Sequence, residues 1–482
     1  MAAPHDENVP VSSIVSISRI VSVHQKLLQP DQRVLELSNL DRQCPTLMYL
    51  VFFYKHHTLK DHLSLNSVFT ILKSGLEETL SVWYPGAGRL RQNQSDEKLN
   101  LWCNNEGAIL VEAETPVKIS QLGDLSQYSD FFEKLVYKPA FGDGDFSNMP
   151  LIVAQVTKFG CGGYSIGVGT SHSLFDGPAT YNFLNAWASN SEIVKEKCEH
   201  EVPKPVHERG ILLLSDNPQP SKGSISLASN SSFNAQQQAR AIAIDHLYQL
   251  IMQAASGSKG FPLQIIGPSD QNKCVLKTYH ISGAMIDYLK KKHSPMCKSA
   301  SLPFSTFEVL AAHLWKARTK ALGVRNQNMV CLQFAVDTRN KVVPPLTKPF
   351  SGNAYVLASV MMPLLELQSA SYEDIIDKIR EAKNAVNNDY VRSYIEALEG
   401  AANGSSLPPL KELTLVSDWT RMPFHNIEFF HGKAAYACPL ATPLPQVAYF
   451  MQSPTDYGGV HVRIGIDPET LDAFTHCFFN KG

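Results

Sequence analysis

The most regular pattern in the chain alternates. Tyr164, Ile166, Val168, Thr170 and His172 fall on one face of a period-two run, with Ser165, Gly167, Gly169 and Ser171 on the other. A strand is predicted there that carries an imidazole on its mainly apolar side just as the chain turns. Asp176-Gly-Pro178 then opens a helical pattern through Phe183, Leu184 and Trp187. Leu151 to Phe159 is a second strand-like run, and Gly160-Cys-Gly-Gly163 between the two predicts a hairpin leading into His172. Upstream, Ile14 to Val23 alternates as an early strand, and Leu47 to Tyr54 reads as a strand buried on both faces. The period lengthens at Leu65, where Leu65, Val68, Phe69, Leu72, Leu76 and Leu80 mark one side of a helix. That helix runs toward a turn punctuated by Pro and Gly, Trp83-Tyr-Pro-Gly-Ala-Gly-Arg89.

Between 203 and 272 the pattern weakens. Pro218, Pro220 and the Ser-rich stretch from Ser221 to Ser232 predict an extended connector, interrupted by an amphipathic piece from Leu247 to Ala255 and loosened again at Ser256 to Gly260. The second half opens with a strand at Leu276 to Ile281. Ser305-Thr-Phe-Glu308 is a capping box ahead of an apolar helix through Val309, Leu310, Ala312, Leu314 and Trp315. Ser371 to Asp374 starts another helix, through Ile375, Ile379, Ala382 and Val386. Val460, Val462, Ile464 and Ile466 alternate before a short helix opening at Asp467-Pro468. The expectation is two mixed α/β (α+β) domains, residues 1–202 and 273–482, joined by a crossover over 203–272.

Composition changes this picture little. With 482 residues, 44% apolar and 18% charged, the chain can bury two cores. A net charge of -2 argues against a polyanionic partner such as nucleic acid. The polar, acidic start does not read as a secretory signal, and Leu47 to Tyr54, the longest strongly apolar run, is too short to span a bilayer. Nine cysteines are scattered without a C-x-x-C pair, so no zinc site or disulfide framework is expected. A reduced, cytoplasmic setting is the expectation.

His172-Ser-Leu-Phe-Asp176 holds the leading candidate chemistry. An imidazole at a strand end in an apolar setting suits general-base work, although it reads equally as a satisfied core histidine. Asp176 reads first as an N-cap for the following helix. The same spacing recurs at His57 and Asp61, inside a polar run that suits a solvated loop. Gly163-Tyr-Ser165-Ile-Gly167 has the spacing of a serine-hydrolase nucleophile elbow, but the alternation runs on past Ser165, so the sharp turn that chemistry needs is missing. Neither Gly160 to Gly163 nor Ser256 to Gly260 ends as a phosphate loop does. Lys290-Lys-Lys-His293 reads as a solvated helix end, with the phosphates of a soluble cofactor as the other partner it would suit.

In combination these residues resemble the BAHD acyltransferases of plant specialised metabolism, over nearly the whole chain. His172 to Gly177 matches the family's HxxxDG motif, and Trp83 to Arg89 is similar to its Y-P-x-A-G-R segment. Val336-Asp-Thr-Arg339, Pro344-Pro345 and Gly352-Asn353 resemble its D-x-R…P-P…G-N stretch. The resemblance implies two similarly sized domains in a chloramphenicol-acetyltransferase-like arrangement, meeting at a channel. It implies acyl-CoA as co-substrate, a hydroxyl or amine acceptor, and a monomer with no metal and no permanent cofactor. It also implies that His172 is the base, and that Asp176 points away from substrate to pair with an arginine, for which Arg339 is the candidate.

One segment departs from the family. Trp419, Arg421 and Pro423 match, but the D-F-G-W-G motif that follows reads Glu428-Phe-Phe-His-Gly432. In the family that motif supports structure around the CoA side. Glu428 and Gly432 keep the charge and the last glycine, while a phenylalanine stands where close backbone approach favours glycine. The departure motivates a rival reading, a non-catalytic relative that works by binding an enzyme or ligand. The Leu37-Ser-Asn-Leu-Asp-Arg42 segment resembles branches that handle lipophilic alcohols, brassinosteroid-related ones among them.

Overall fold

The computed structural model describes residues 14–28, 32–43, 46–55, 64–96, 98–139, 146–191, 204–213, 275–293, 303–323, 328–398, 412–430, 432–440 and 446–479. Most of the expected crossover, 214–272, lies outside the described residues, as do His57 and Asp61.

In chain order the first half holds β1 (Ser16–Val23), β2 (Arg33–Leu35), α1 (Asn39–Arg42), β3 (Leu47–Tyr54), α2 (Leu65–Val82), β4 (Arg89–Gln92), β5 (Leu99–Cys103), β6 (Ala108–Thr115), β7 (Ile152–Phe159), β8 (Tyr164–Ser171) and α3 (Gly177–Asn190). The second half holds β9 (Val275–Ile281), α4 (Gly283–His293), α5 (Thr306–Ala321), β10 (Met329–Asp337), β11 (Tyr355–Pro363), α6 (Leu364–Ser369), α7 (Tyr372–Ala385) and α8 (Asn388–Ala397). It continues through β12 (Leu413–Asp418), β13 (Tyr436–Pro439), β14 (Val447–Gln452), β15 (Val460–Ile466) and α9 (Leu471–Phe479).

Two six-stranded sheets organise these elements. One runs β1-β6-β7-β8-β3-β13 and the other β11-β10-β12-β14-β15-β9, with a small β2-β5-β4 sheet beside the first. Both large sheets are mixed: β6 and β7 run parallel, as do β10, β12 and β14, among otherwise antiparallel pairs. The predicted hairpin is present, with β7 antiparallel to β8 and Val153 opposite Gly169.

Alternation along β3 explains the layering. Leu50, Phe52 and Tyr54 face a core shared with the α2 stripe (Val68, Phe69, Leu72, Leu76 and Leu80) and with Phe183 and Trp187 of α3. Val51 and Phe53 face the other way, into a seam with Cys331, Leu413 and Tyr449 of the second sheet. Burying a strand on both faces this way needs the continuous apolar run that β3 has. Helices α4, α5, α7, α8 and α9 cover the far face of the second sheet. Helix α5 starts on the predicted capping box, where Ser305 Oγ accepts from the Glu308 N–H and Glu308 accepts from the Ser305 N–H.

The chain crosses the seam late. Strand β13, from the second half, closes the first sheet antiparallel to β3, with Tyr436 opposite Phe53. Arg463 of β15 ties that strand back. Its guanidinium, fully buried, donates to the carbonyl oxygens of Pro439 (2.8 Å) and Ser126 (2.9 Å). No helix among the described residues is long and apolar enough to cross a membrane.

Candidate active site

Strand β8 ends at Ser171. The Leu174 and Phe175 N–H groups both donate to the Ser171 carbonyl (3.0 Å each), so the chain turns there. His172 therefore stands one residue past the strand, where the alternation no longer fixes its side. The His172 N–H donates to the Thr46 carbonyl (2.8 Å), and its own carbonyl accepts from Asn353 Nδ2 (2.6 Å). The imidazole is half-buried and meets the Tyr355 ring of β11 edge-on, with centroids 5.8 Å apart. Its ring thus lies between a loop of the first half and a strand of the second.

Two buried ion pairs hold this loop. Asp176 caps α3 by accepting from the Ala179 N–H (3.0 Å). The same carboxylate takes Arg339 bidentately, Nη2 to Oδ1 and Nη1 to Oδ2, both at 2.9 Å, and accepts from the Ala354 N–H (3.1 Å). Burial alone would lower the Arg339 pKa, but the Asp176 and Asp337 carboxylates outweigh it and raise the guanidinium above its ordinary value. Both carboxylate oxygens of Asp176 are therefore engaged within the protein.

The second pair was not legible in the sequence. Asp41 and Arg209 are fully buried and paired at 2.9 Å. Asp41 also accepts from the Ser38 N–H (2.9 Å), the Ser38 hydroxyl (2.8 Å), and the Asn353 N–H and Nδ2 (3.0 Å each). Burial pushes the Asp41 carboxyl up, but Arg209 and Asn353 outweigh burial and hold it below the usual carboxylate range. Residues 352–354 join the two pairs. A Cβ at Gly352 would stand 2.7 Å from the Phe350 ring and 2.9 Å from the Arg209 guanidinium carbon, so any side chain there would have to displace one of them. Asn353 then reaches Asp41 and the His172 carbonyl together. The local signal was a second capping box, in which Ser38 and Asp41 bond each other's backbone N–H groups at the start of α1. Nothing local pointed to Arg209, 168 residues away.

The Trp83–Arg89 segment packs under the exit of the loop. Its Tyr84–Ala87 stretch is a buried 3₁₀ turn, and the Trp83 ring lies 5.8 Å from Phe175 and 5.6 Å from Phe183.

The altered motif is also accommodated on the first sheet. Glu428 is exposed, whereas Phe429 and Phe430 are buried. Phe430 stacks on Tyr164 (5.5 Å) and meets Tyr54 edge-on (5.0 Å), while Phe429 meets Trp187 (4.9 Å). The Tyr54 hydroxyl donates to the Ile427 carbonyl (2.7 Å). The phenylalanine in the family's glycine position is thus part of an aromatic cluster of the core. Gly432 is half-buried, and His431 lies outside the described residues.

Ser165 is the second residue of β8, buried and opposite Phe53 and Thr157, and the strand runs on to Ser171, so no helix follows it directly. That is not the exposed turn a nucleophile elbow needs. Lys290 to His293 form the last turn of α4, where the His293 ring lies 4.8 Å from Tyr372.

Comparison with known proteins decides the family. The model of the Transferase family matches residues 18–480. The chain belongs to the BAHD acyltransferase family. It is an enzyme family that transfers acyl groups other than amino-acyl groups. This BAHD chain is 50% identical over 480 residues to Brassinosteroid-related acyltransferase 1 of Arabidopsis thaliana, covering 97% of this chain and 98% of the relative. It is 27% identical over 466 residues to the Omega-hydroxypalmitate O-feruloyl transferase of the same plant, covering 95% and 93%. Among solved structures, vinorine synthase superposes with a TM-score of 0.69 at 19% identity, over 95% of this chain and 96% of that one. TRI101 of F. sporotrichioides, solved with coenzyme A and T-2, superposes with a TM-score of 0.67 at 14% identity, over 92% and 97%. The two mixed sheets flanked by helices are therefore the BAHD fold, as the sequence led one to expect.

Proposed function

We propose that the chain moves an acyl group from acyl-CoA to a hydroxyl, less readily an amine, of a small lipophilic or phenolic plant metabolite, with His172 as general base. In this reading an imidazole nitrogen takes the acceptor proton as the acceptor oxygen attacks the thioester carbonyl. A C–O bond forms, the tetrahedral oxyanion collapses, the C–S bond breaks, and the departing CoA thiolate recovers the proton. Asp176 and Arg339 act by position, fixing the turn that presents the ring.

One observation carries the reading. The His172 backbone is pinned on both sides, by Thr46 and Asn353, while its ring stays half-buried against Tyr355 of the other sheet. Such anchoring supplies the orientation that catalysis between two bound substrates requires. Support for a lipophilic or phenolic acceptor comes from relatives such as the fatty alcohol:caffeoyl-CoA acyltransferase of Arabidopsis thaliana, 27% identical over 442 residues. The 29% identical Anthranilate N-benzoyltransferase protein 1 of Dianthus caryophyllus keeps the amine as the second choice.

The test is release of free CoA thiol by the purified chain, with a panel of acyl-CoAs and phenolic, fatty and steroidal alcohols. The expected result is thiol release that depends on the acceptor and matches ester formed. Equal release without acceptor would replace the reading with thioester hydrolysis. No release together with no binding of acyl-CoA would favour the non-catalytic alternative.

A further inference from the structure

The inward face of β10 changes character along its length. Asp337 and Ala335 are exposed, whereas Gln333 and Cys331, on the same face, are fully buried. The opening has a backbone cause. Strands β10 and β12 pair only from Cys331–Leu413 to Phe334–Val416, and beyond that point the face is open. The open end lies at the candidate base, because Asp337 pairs with Tyr355, whose ring meets His172. The closed end is the seam, where Cys331 and Leu413 pack with Val51 and Phe53 of the first sheet.

At the boundary sits a polar group where an apolar one would pack better. Both amide atoms of Gln333 are buried and have no hydrogen-bond partner among the described residues. Directly opposite on β11, the Ser359 hydroxyl is buried and equally unpartnered. Buried amides and hydroxyls in native proteins have partners as a rule, so an orphaned pair on opposite strands, where the exposed stretch of β10 ends, points to a ligand group that satisfies both. Around them the face is apolar, with Leu415 beside Gln333 on β12 and Leu357 one step nearer the mouth. From Gln333 to Asp337 is four strand residues, a depth of about 13 Å.

We propose that Gln333 and Ser359 form the polar floor of a substrate pocket whose mouth is at His172, and that they recognise a hydrogen-bonding oxygen at the far end of an otherwise apolar substrate. The inference rests on the acyl-transfer reading above and adds what the pocket selects. The oxygen belongs either to the acyl group of the donor or to the body of the acceptor, and the same chemistry serves both. A carbonyl oxygen would accept from the Gln333 amide nitrogen, and a hydroxyl would also donate to its amide oxygen.

Two matched pairs separate the sources: p-coumaroyl-CoA against cinnamoyl-CoA, and decanediol with a hydroxyl at each end against decanol. In one pair the wild-type protein is expected to favour the oxygen-bearing member by ~10- to 100-fold in kcat/KM. Gln333→Leu is expected to reduce that ratio to about two or less, chiefly by slowing the oxygen-bearing member. Ser359→Ala reduces the same ratio by a smaller factor, and serves alone if Gln333→Leu does not fold. Absence of preference in both pairs, or a Gln333→Leu loss that is equal for both members, overturns the proposal. Should the wild-type protein turn over none of the four, the acyl-transfer reading is decided separately, by the thiol-release panel. Calorimetric affinities for the same pairs, which need no turnover, then decide the floor by the same ratios.

Discussion

Replacing His172 with alanine is expected to lower kcat for acyl transfer by about 10²- to 10⁴-fold, the usual contribution of a positioned general base. The fold should not change. The two hydrogen bonds that pin residue 172 use its backbone N–H and carbonyl, which alanine retains. Alanine gives up the edge-on packing against the Tyr355 ring, and the histidine it replaces is only half-buried. KM for acyl-CoA is expected to move by no more than a few-fold, since the proposed base acts on the acceptor proton and not on donor binding. Steady-state kinetics beside a thermal melt separates the two effects. A variant with wild-type kcat would remove His172 from the mechanism, whatever its melting temperature.

A loss of another kind is expected from Arg209→Met. Asp41 and Arg209 are both fully shielded from water, so removing one partner leaves the other's charge buried and unpaired. Such losses run to about 3–5 kcal/mol, read here as a lower midpoint in urea. Removing both charges together, Asp41→Leu with Arg209→Met, should not recover the loss, because it leaves the Ser38 N–H and the Asn353 N–H and Nδ2 buried without their acceptor. The pH dependence has a definite sign. The Asp41 carboxyl is held below its ordinary 3.8 in the folded chain, so its contribution is complete above that value and is lost as pH falls through the lower folded value. Arg209→Met should therefore cost most near neutral pH and less in acid. Activity should fall with stability, because Asn353 bonds Asp41 and the His172 carbonyl with the same amide.

Local pattern made much of the fold legible. The run Leu47 to Tyr54 is β3, and the alternation from Val460 to Ile466 is β15, both at the expected bounds. The Ser305 capping box marks the start of α5, and Ser371 caps α7 by accepting from the Asp374 N–H. These features depend on neighbours a few residues apart, which a sequence displays directly. Alternation was a weaker guide at the edge. In β1, Ile17 and Ile20 are about half exposed, beside a register shift between Ile17 and Arg19.

What could not be read depends on distant pairing. Nothing in Tyr436 to Pro439 marks it as a strand of the first sheet, because its partner β3 lies in the other half of the chain. The same holds for Asp41 with Arg209 and for Gln333 with Ser359, where burial gives ordinary polar residues their significance. His172 lies between these cases. Its motif singled it out as a candidate, but the turn at Ser171 ends the alternation one residue early, and only the second sheet supplies Tyr355. The altered motif shows the limit of reading by family pattern. A phenylalanine in the glycine position has its place among Tyr54 and Tyr164, aromatic residues far away in sequence.

A crystal structure of the protein with coenzyme A and the acceptor identified by thiol release would reach the chemistry itself. The acceptor hydroxyl oxygen is expected within about 2.6–3.2 Å of a ring nitrogen of His172, or joined to it by one water, on the side facing the thiol. An acceptor bound with that oxygen well beyond reach of the ring, and the ring turned away from both substrates, would contradict general-base catalysis by His172.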